Sequence, residues 1–426
     1  MELGLHELPA RAFDLLAAGA GGADAAALLV AAQHSKNRTL ITGIADQAES
    51  AQPGFQLLAE MAREAPDAVR AVITYPAVGL WALRTLRALL HGERVMVEPA
   101  RLGAVAAAAA VHARVDCRIQ VPTDGNGLTM PSVGRVMTGV TGLVEIEVRD
   151  GALSVDGRFV DIPQDREWWV PLRRIGVQGG PCFVIDDLDP HRWPQTEELR
   201  DRLSGAEVAT WQSCLDEAWG LLAKDHWTIA MESQLILSAF VPISAPAGSQ
   251  NSASSRTAFG AMAASTPFDG LWLASTLAHE VQHAKLGAIL DMTPLTRPDE
   301  RRYYAPWRPD PRPLSGLLQG TYAYLGVAGF WRRQREADNE PRSHAEFAHW
   351  RRSAFDACRT LLDSERLTPQ GERFVMGMTR TLSTWLDEAV PGDALMEAHR
   401  QAEAHRVAWT SRNGRPATAP LDRSPS

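Results

Sequence analysis

The chain has 426 residues, of which 45% are hydrophobic, enough for two or three packed units. A formal net charge of −8 and a pI near 5.9 provide no basic field for nucleic acid or an anionic membrane surface. The opening Met1-Glu-Leu-Gly-Leu-His-Glu is acidic rather than a secretory signal, and no uninterrupted apolar run is long enough to span a bilayer. Cys117, Cys182, Cys214 and Cys358 lie far apart with no metal-ligand spacing, so buried free thiols in a cytoplasmic protein are expected.

Residues 1–115 read as a helical N-terminal region. Ala23–Ala32, Gly54–Arg63 and Val78–Leu90 carry helical spacing, and Pro53, Pro66 and Pro76 punctuate them. The alanine run Ala104–Val111 predicts a tightly packed core helix. Residues 116–190 change character. Apolar and β-branched residues alternate in Cys117–Val121, Leu143–Val148 and Leu153–Val155. Between them stand Asp124-Gly-Asn-Gly127, Asp150-Gly151 and Asp156-Gly157, which are hairpin signals. A small antiparallel β module is expected there, followed by helix over Gln195–Leu222.

The remainder, 191–410, is expected to hold the chemistry. Trp227–Pro242 and Ser252–Ser265 read as strands. The second has small side chains that suit an edge strand offering backbone to an extended peptide, with Ser254, Ser255 and Arg256 as candidate contacts. Asp269 is then a good N-cap for an uninterrupted helical run that ends before Pro294. Inside it lie His279, Glu280 and His283, an H-E-x-x-H pattern. Four-residue spacing puts both imidazoles on one helical face, where two nitrogens can reach one metal ion. Glu280 points aside, close enough to act on a metal-bound water or support a ligand. The surrounding Leu273, Leu277, Val281, Leu286 and Ile289 make burial of two unpartnered imidazoles costly, which favours a metal.

Arg301–Pro313 holds four prolines and is read as a stiff, extended loop. Arg308 and Arg312, with Tyr304 beside them, are suitable material for gripping a carboxylate, and equally for capping helices or pairing with surface acids. Leu314–Arg333 follows as a helix whose small face (Gly316, Gln319, Gly320, Ala323, Gly326) is expected to pack on another helix, such as that of the histidines. His344 and His349 read as surface residues, the chain to Ala404 as helix, and 411–426 as a disordered tail.

Four blocks taken together resemble one family. They are Ser252-Ala-Ser-Ser-Arg-Thr-Ala-Phe-Gly, Leu277-Ala-His-Glu-Val-Gln-His-Ala-Lys-Leu, Tyr304-Ala-Pro-Trp-Arg-Pro-Asp-Pro-Arg-Pro, and Gly316-Leu-Leu-Gln-Gly-Thr-Tyr-Ala-Tyr-Leu with Phe330-Trp331. They are similar to the HExxH-motif proteins found beside ribosomally made peptide precursors and radical-SAM maturases. The resemblance covers residues 250–332. It implies an iron(II)- and 2-oxoglutarate-dependent peptide β-hydroxylase acting on a precursor peptide, with a radical-SAM maturase as an associated partner and no nucleic acid or membrane. His279 and His283 would be two iron ligands and Gln319 the third, with Glu280, Glu336 and His344 as rivals. Arg308 or Arg312 would hold the distal carboxylate of 2-oxoglutarate. The fold expected is mostly helical α+β with a zincin-like core, an edge strand plus the HExxH helix.

Two other classes stand beside this one. A zinc metallopeptidase of gluzincin type would use Glu280 as general base, although Leu286 and Ile289 replace the Gly and His of the longer motif. A non-catalytic peptide-binding partner of a maturase would need neither histidine.

Overall fold

A computed structural model describes residues 6–93, 98–124, 127–139, 141–195 and 198–414. The helices α1 (Ala10–Ala17), α2 (Gly22–Gln47), α3 (Gln52–Glu64), α4 (Pro66–Ile73), α5 (Pro76–His91) and α6 (Leu102–Ala113) open the chain. Short strands follow: β1 (Cys117–Asp124), β2 (Leu128–Met130), β3 (Gly134–Val136), β4 (Thr141–Arg149), β5 (Ala152–Val155), β6 (Arg158–Val160), β7 (Trp169–Pro171), β8 (Arg173–Gly176) and β9 (Cys182–Ile185). Then come α7 (Gly205–Asp225), α8 (Trp227–Ile236), β10 (Ala239–Pro242), β11 (Ser252–Ser254), β12 (Ala261–Ala264) and the long α9 (Gly270–Met292). The chain ends with β13 (Arg302–Tyr303), β14 (Arg312–Pro313), α10 (Leu314–Asp338), α11 (Pro341–Asp363), α12 (Pro369–Leu386) and α13 (Gly392–Asn413). The class is mixed α+β, as expected. Among the described residues, no single helix is long and apolar enough to cross a membrane.

Two compact units emerge, and they do not follow the linear segments 1–115, 116–190 and 191–410. Of the described residues, one unit holds Val30–Asp216 and Ile236–Gly270. The other holds His6–Leu29, Glu217–Leu235 and the chain from Leu271 onward.

In the first unit the alanine run is the centre. Ala104 to Ala110 are fully buried in α6, because small side chains let neighbours approach closely. A Cβ at Gly54 of α3 would lie 2.5 Å from the Leu102 backbone carbon, and one at Gly103 would lie 2.9 Å from a Val121 methyl. The hairpin signals hold where they are described. Asp150-Gly151 and Asp156-Gly157 have positive φ at both positions (49° and 77°, 47° and 73°), as the tight turns of β4–β5–β6 require. Residues 125 and 126 of the Asp124–Gly127 signal lie outside the described residues.

The expected single β module divides instead. One antiparallel sheet runs β1-β4-β5-β6, a second runs β2-β3-β7, and β8 and β9 join β10, β11 and β12 in a sheet of order β11-β12-β10-β9-β8. In that sheet β10 is parallel to both β9 and β12. Parallel pairing joins segments far apart in sequence, and local alternation does not announce it.

Three local expectations are corrected. Trp227–Ile236 is helical, and the buried residues in and around it, His226, Ala230, Ser233 and Leu237, keep helical spacing that the aromatic and branched residues obscured. Helix α7 starts at Gly205, not Gln195. Ser204 and Glu207 cap each other there: the Glu207 N–H donates to Ser204 Oγ at 3.2 Å and the Ser204 N–H to Glu207 Oε2 at 2.8 Å. Cys214 and Cys358 are buried, whereas Cys182 is exposed and Cys117 half-buried; all four are free thiols.

The second unit is built on α9. Leu273, Leu277, Val281, Leu286 and Ile289 are 0–1% exposed, so this helix is covered on most sides. The small face of α10 packs on it in part: a Cβ at Gly326 would sit 2.5 Å from Gln282 Cγ and 2.8 Å from the Ala278 carbonyl oxygen, whereas Gly316 and Gly320 face Pro313 and Trp307 of the proline-rich loop. Gly326→Ala is therefore expected to destabilise the protein by roughly 1–3 kcal/mol through overpacking. Urea unfolding measures this, and a loss below about 0.5 kcal/mol would show that the two helices can part freely.

The connector between α1 and α2 is tied to the same helix. Gln282 Nε2 donates to Gly19 O at 3.0 Å, and Lys285 Nζ donates to Ala20 O at 3.1 Å. Lys285 also forms a 2.8 Å ion pair with Glu232 of α8, and the Gly22 N–H donates to the other Glu232 oxygen at 2.9 Å. Both side chains of the pair are almost wholly buried (0% and 4% exposed). The expected tail is shorter than predicted at its start, since α13 continues through Arg412 to Asn413; residues 415–426 lie outside the described residues.

Candidate metal-binding site

Helical spacing on α9 brings the two motif histidines together. His279 Nε2 and His283 Nε2 are 3.1 Å apart, with the rings edge to face and centroids at 4.7 Å. Gln319, from the first turns of α10, meets the other side of His283. The Nδ1–H of His283 donates to Gln319 Oε1 at 3.1 Å, which fixes the tautomer and leaves Nε2 as a lone-pair donor. His279 is half-buried, and desolvation, then the neighbouring His283, holds its basicity well below the ordinary imidazole value. A neutral imidazole is the form that binds a metal.

Two converging imidazole nitrogens fit a divalent transition metal. The rest of an expected facial triad is less complete. Among the described residues, no group of three His, Cys, Asp or Glu side chains is disposed to hold a metal. Gln319, expected as the third ligand, instead occupies the outer nitrogen of His283, the position of a group that orients a ligand. Of its rivals, Glu336 pairs with Arg333 at 3.1 Å and His344 bonds Asn339 at 3.0 Å. Glu280 is buried on α9 between the two histidines in sequence.

Beside His279 stands an aromatic stack that sequence reading did not single out. Tyr324 of α10 contacts the His279 ring edge to face at 5.0 Å. It lies between Trp307 at 4.7 Å and Trp350 at 4.1 Å, both stacked on it. Gly320 makes room for this: a Cβ there would fall 2.3 Å from the Trp307 indole nitrogen. Burial first, then the Glu280 carboxylate, raises the Tyr324 hydroxyl far above its ordinary range, with Arg308 opposing and Glu346 adding to the rise. The hydroxyl is therefore a proton donor throughout the neutral range, with Glu280, Glu346 and Arg308 facing it. Glu346 is itself held by the Trp350 indole N–H at 2.7 Å. Their signal in the sequence is spacing: Gly320 and Tyr324, like Glu346 and Trp350, are four residues apart on one helical face.

The remaining expected residues divide. The proline-rich loop is closed by the two-residue ribbon β13–β14, with Tyr303 opposite Arg312. Arg308 and Arg312 both bond Asp310, at 3.2 and 3.0 Å, and both are partly exposed. Tyr304 faces α13 instead, where its hydroxyl pairs with His405 Nδ1 at 2.9 Å and its ring meets Trp409. Ser254 ends β11, the terminal strand of the mixed sheet in the first unit, and Ser255 and Arg256 follow in the turn. His349, expected at the surface, is buried against Trp350, and its Nδ1–H reaches Ala398 O at 3.4 Å. A larger cavity of about 870 Å³ lies in the first unit, lined by residues such as Tyr75, His112 and Arg174. The motif histidines are not among its lining residues.

In comparisons with known proteins, no family model matches the chain and no curated protein matches it.

Proposed function

We propose that the chain is an iron(II)- and 2-oxoglutarate-dependent β-hydroxylase of a ribosomally synthesised precursor peptide. The observation that carries the metal-dependent part is the 3.1 Å approach of the His279 and His283 Nε2 atoms on one half-buried face of α9. The choice of oxygenase over other metal chemistry is supported by the four sequence blocks between residues 250 and 332. A zincin-like core is part of the same proposal.

In this reading His279 and His283 hold the metal, and Gln319 keeps His283 oriented through Nδ1. Iron with its oxo-acid would supply an oxidant able to take a hydrogen from a substrate Cβ. Arg308 is favoured over Arg312 for the distal carboxylate, because its charge acts on the Tyr324 hydroxyl next to His279. Trp307, Tyr324 and Trp350 form a stacked wall that keeps water from one side of the histidines. Tyr324 keeps its proton and can donate a hydrogen bond to a bound oxygen atom of substrate or co-substrate.

A zinc peptidase is the second reading. Glu280 beside a protonated Tyr324 supports it, since one could accept a proton from water and the other stabilise an oxyanion. The deciding experiment supplies iron(II), 2-oxoglutarate, oxygen and the precursor peptide encoded beside the gene. The expected result is an intact peptide with one added oxygen at a Cβ and stoichiometric succinate. Glu280→Gln should keep measurable hydroxylation, whereas a general base would lose about 10²–10⁴-fold. Cleaved peptide without mass gain, independent of 2-oxoglutarate and abolished in Glu280→Gln, would overturn the oxygenase in favour of the peptidase.

A further inference from the structure

A cavity in the second unit, the one that holds the histidine pair, is built from a different set of charges. It encloses about 250 Å³, and its lining includes Tyr304, Arg351, Arg352, Asp356, His399 and Arg406. Three arginines thus face one carboxylate, and that carboxylate is already bonded: Arg352 Nε meets Asp356 Oδ2 at 3.0 Å. Glu403 also lies near Tyr304, outside the lining.

The unusual member is Arg351. It is only 5% exposed, yet among the described residues no carboxylate pairs with it. Its bonds run from Nη1 to the carbonyl oxygens of Trp385 and Glu388, and its guanidinium lies 4.7 Å over the Phe347 ring. The donors on Nη2 and Nε have no protein acceptor among the described residues. The carboxylate that acts on it, Glu388, is bonded instead to Arg332 and Arg335, and Arg335 repels the Arg351 guanidinium. A buried cation is thus left undercompensated, and an anion in the cavity would relieve that cost. At the exposed end, Arg406 rests over the Tyr304 ring at 4.9 Å and likewise has no carboxylate partner among the described residues. Two separate guanidinium groups, one buried and one at the mouth, match a molecule with two separated anionic ends better than a single compact one.

The rings of His349, Trp350 and Tyr324 stand in succession between this cavity and His279, at 4.5, 4.1 and 5.0 Å from one to the next. An anion held here is therefore out of reach of a metal on the histidines. We propose that the cavity between α11 and α13 is a binding site for a small dicarboxylate, separate from the histidine pair.

The test uses glutarate as probe, by calorimetry on the metal-free full-length protein at fixed ionic strength. One glutarate should bind, and butyrate, with a single carboxylate, should bind at least tenfold more weakly. Arg406→Gln, a surface change, should weaken glutarate at least tenfold and leave the melting temperature of the free protein unchanged. Arg351→Lys, which keeps the charge and loses the fork, should weaken it as well. His279→Ala should leave it unchanged, which separates this site from the proposed iron centre whatever the fate of that proposal. The assignment is overturned if glutarate does not bind, if inorganic phosphate binds more tightly, if Arg406→Gln binds glutarate as the parent does, or if His279→Ala removes the binding.

Discussion

Replacing His279 or His283 with alanine is expected to remove metal binding altogether while leaving the fold in place. Each imidazole supplies one of the two converging nitrogens, and one nitrogen alone does not hold a first-row metal against buffer and chelator. Elemental analysis after anaerobic reconstitution should find near-stoichiometric iron in the parent and almost none in either variant. Far-ultraviolet circular dichroism should coincide for all three. Full metal occupancy in either variant would sink the site assignment. The same pair sets a pH signature in the metal-free parent. His279 is held neutral in the folded state, with its basicity below the ordinary 6.5 because of burial and then His283. The unfolded chain therefore binds the extra proton first, so stability present above pH 6.5 is lost as the pH falls below it. His279→Ala should show a flatter profile over that window.

The second large effect concerns Lys285, two residues beyond His283 on the same helix. Lys285→Ala would leave the Glu232 carboxylate buried with the Gly22 N–H as its remaining bonded partner, and would free the Ala20 carbonyl. Breaking a buried pair from one side costs about 3–5 kcal/mol, since an uncompensated charge stays in low dielectric. Denaturant unfolding should show that loss, together with faster hydrogen exchange in the α1–α2 connector. The double variant Lys285→Met with Glu232→Met should recover most of the stability, because replacing both ends removes the stranded charge. A single variant that loses less than about 1 kcal/mol would mean that water reaches Glu232 and that the pair is not an anchor.

This anchor joins segments that no local sequence pattern links. Lys285 and Glu232 are 53 residues apart, and Gly22 is 210 residues from Glu232. No local pattern records that residues 6–29 pack with the last third of the chain. The same limit applies to β8 and β9, which alternate like members of the preceding antiparallel module and yet belong to the sheet beyond α8, where β9 pairs with β10.

What the sequence determined by itself is everything with a short period. The four-residue spacing of His279 and His283 brings their nitrogens together on any helix, and the Asp-Gly pairs at 150 and 156 demand the positive φ values of tight turns. The alanine run and Gly326 likewise foretell close helix packing, because the absence of a side chain is itself the fit. Tertiary structure decided what stands next to these elements. It set Tyr324 between two tryptophans and against His279, placed Gln319 on the outer nitrogen of His283, and turned Tyr304 away to α13. The physical reason is one of range. Backbone conformation and helical faces are fixed by neighbours within a turn or two, whereas a site is a meeting of side chains from separate helices, set only when the core packs.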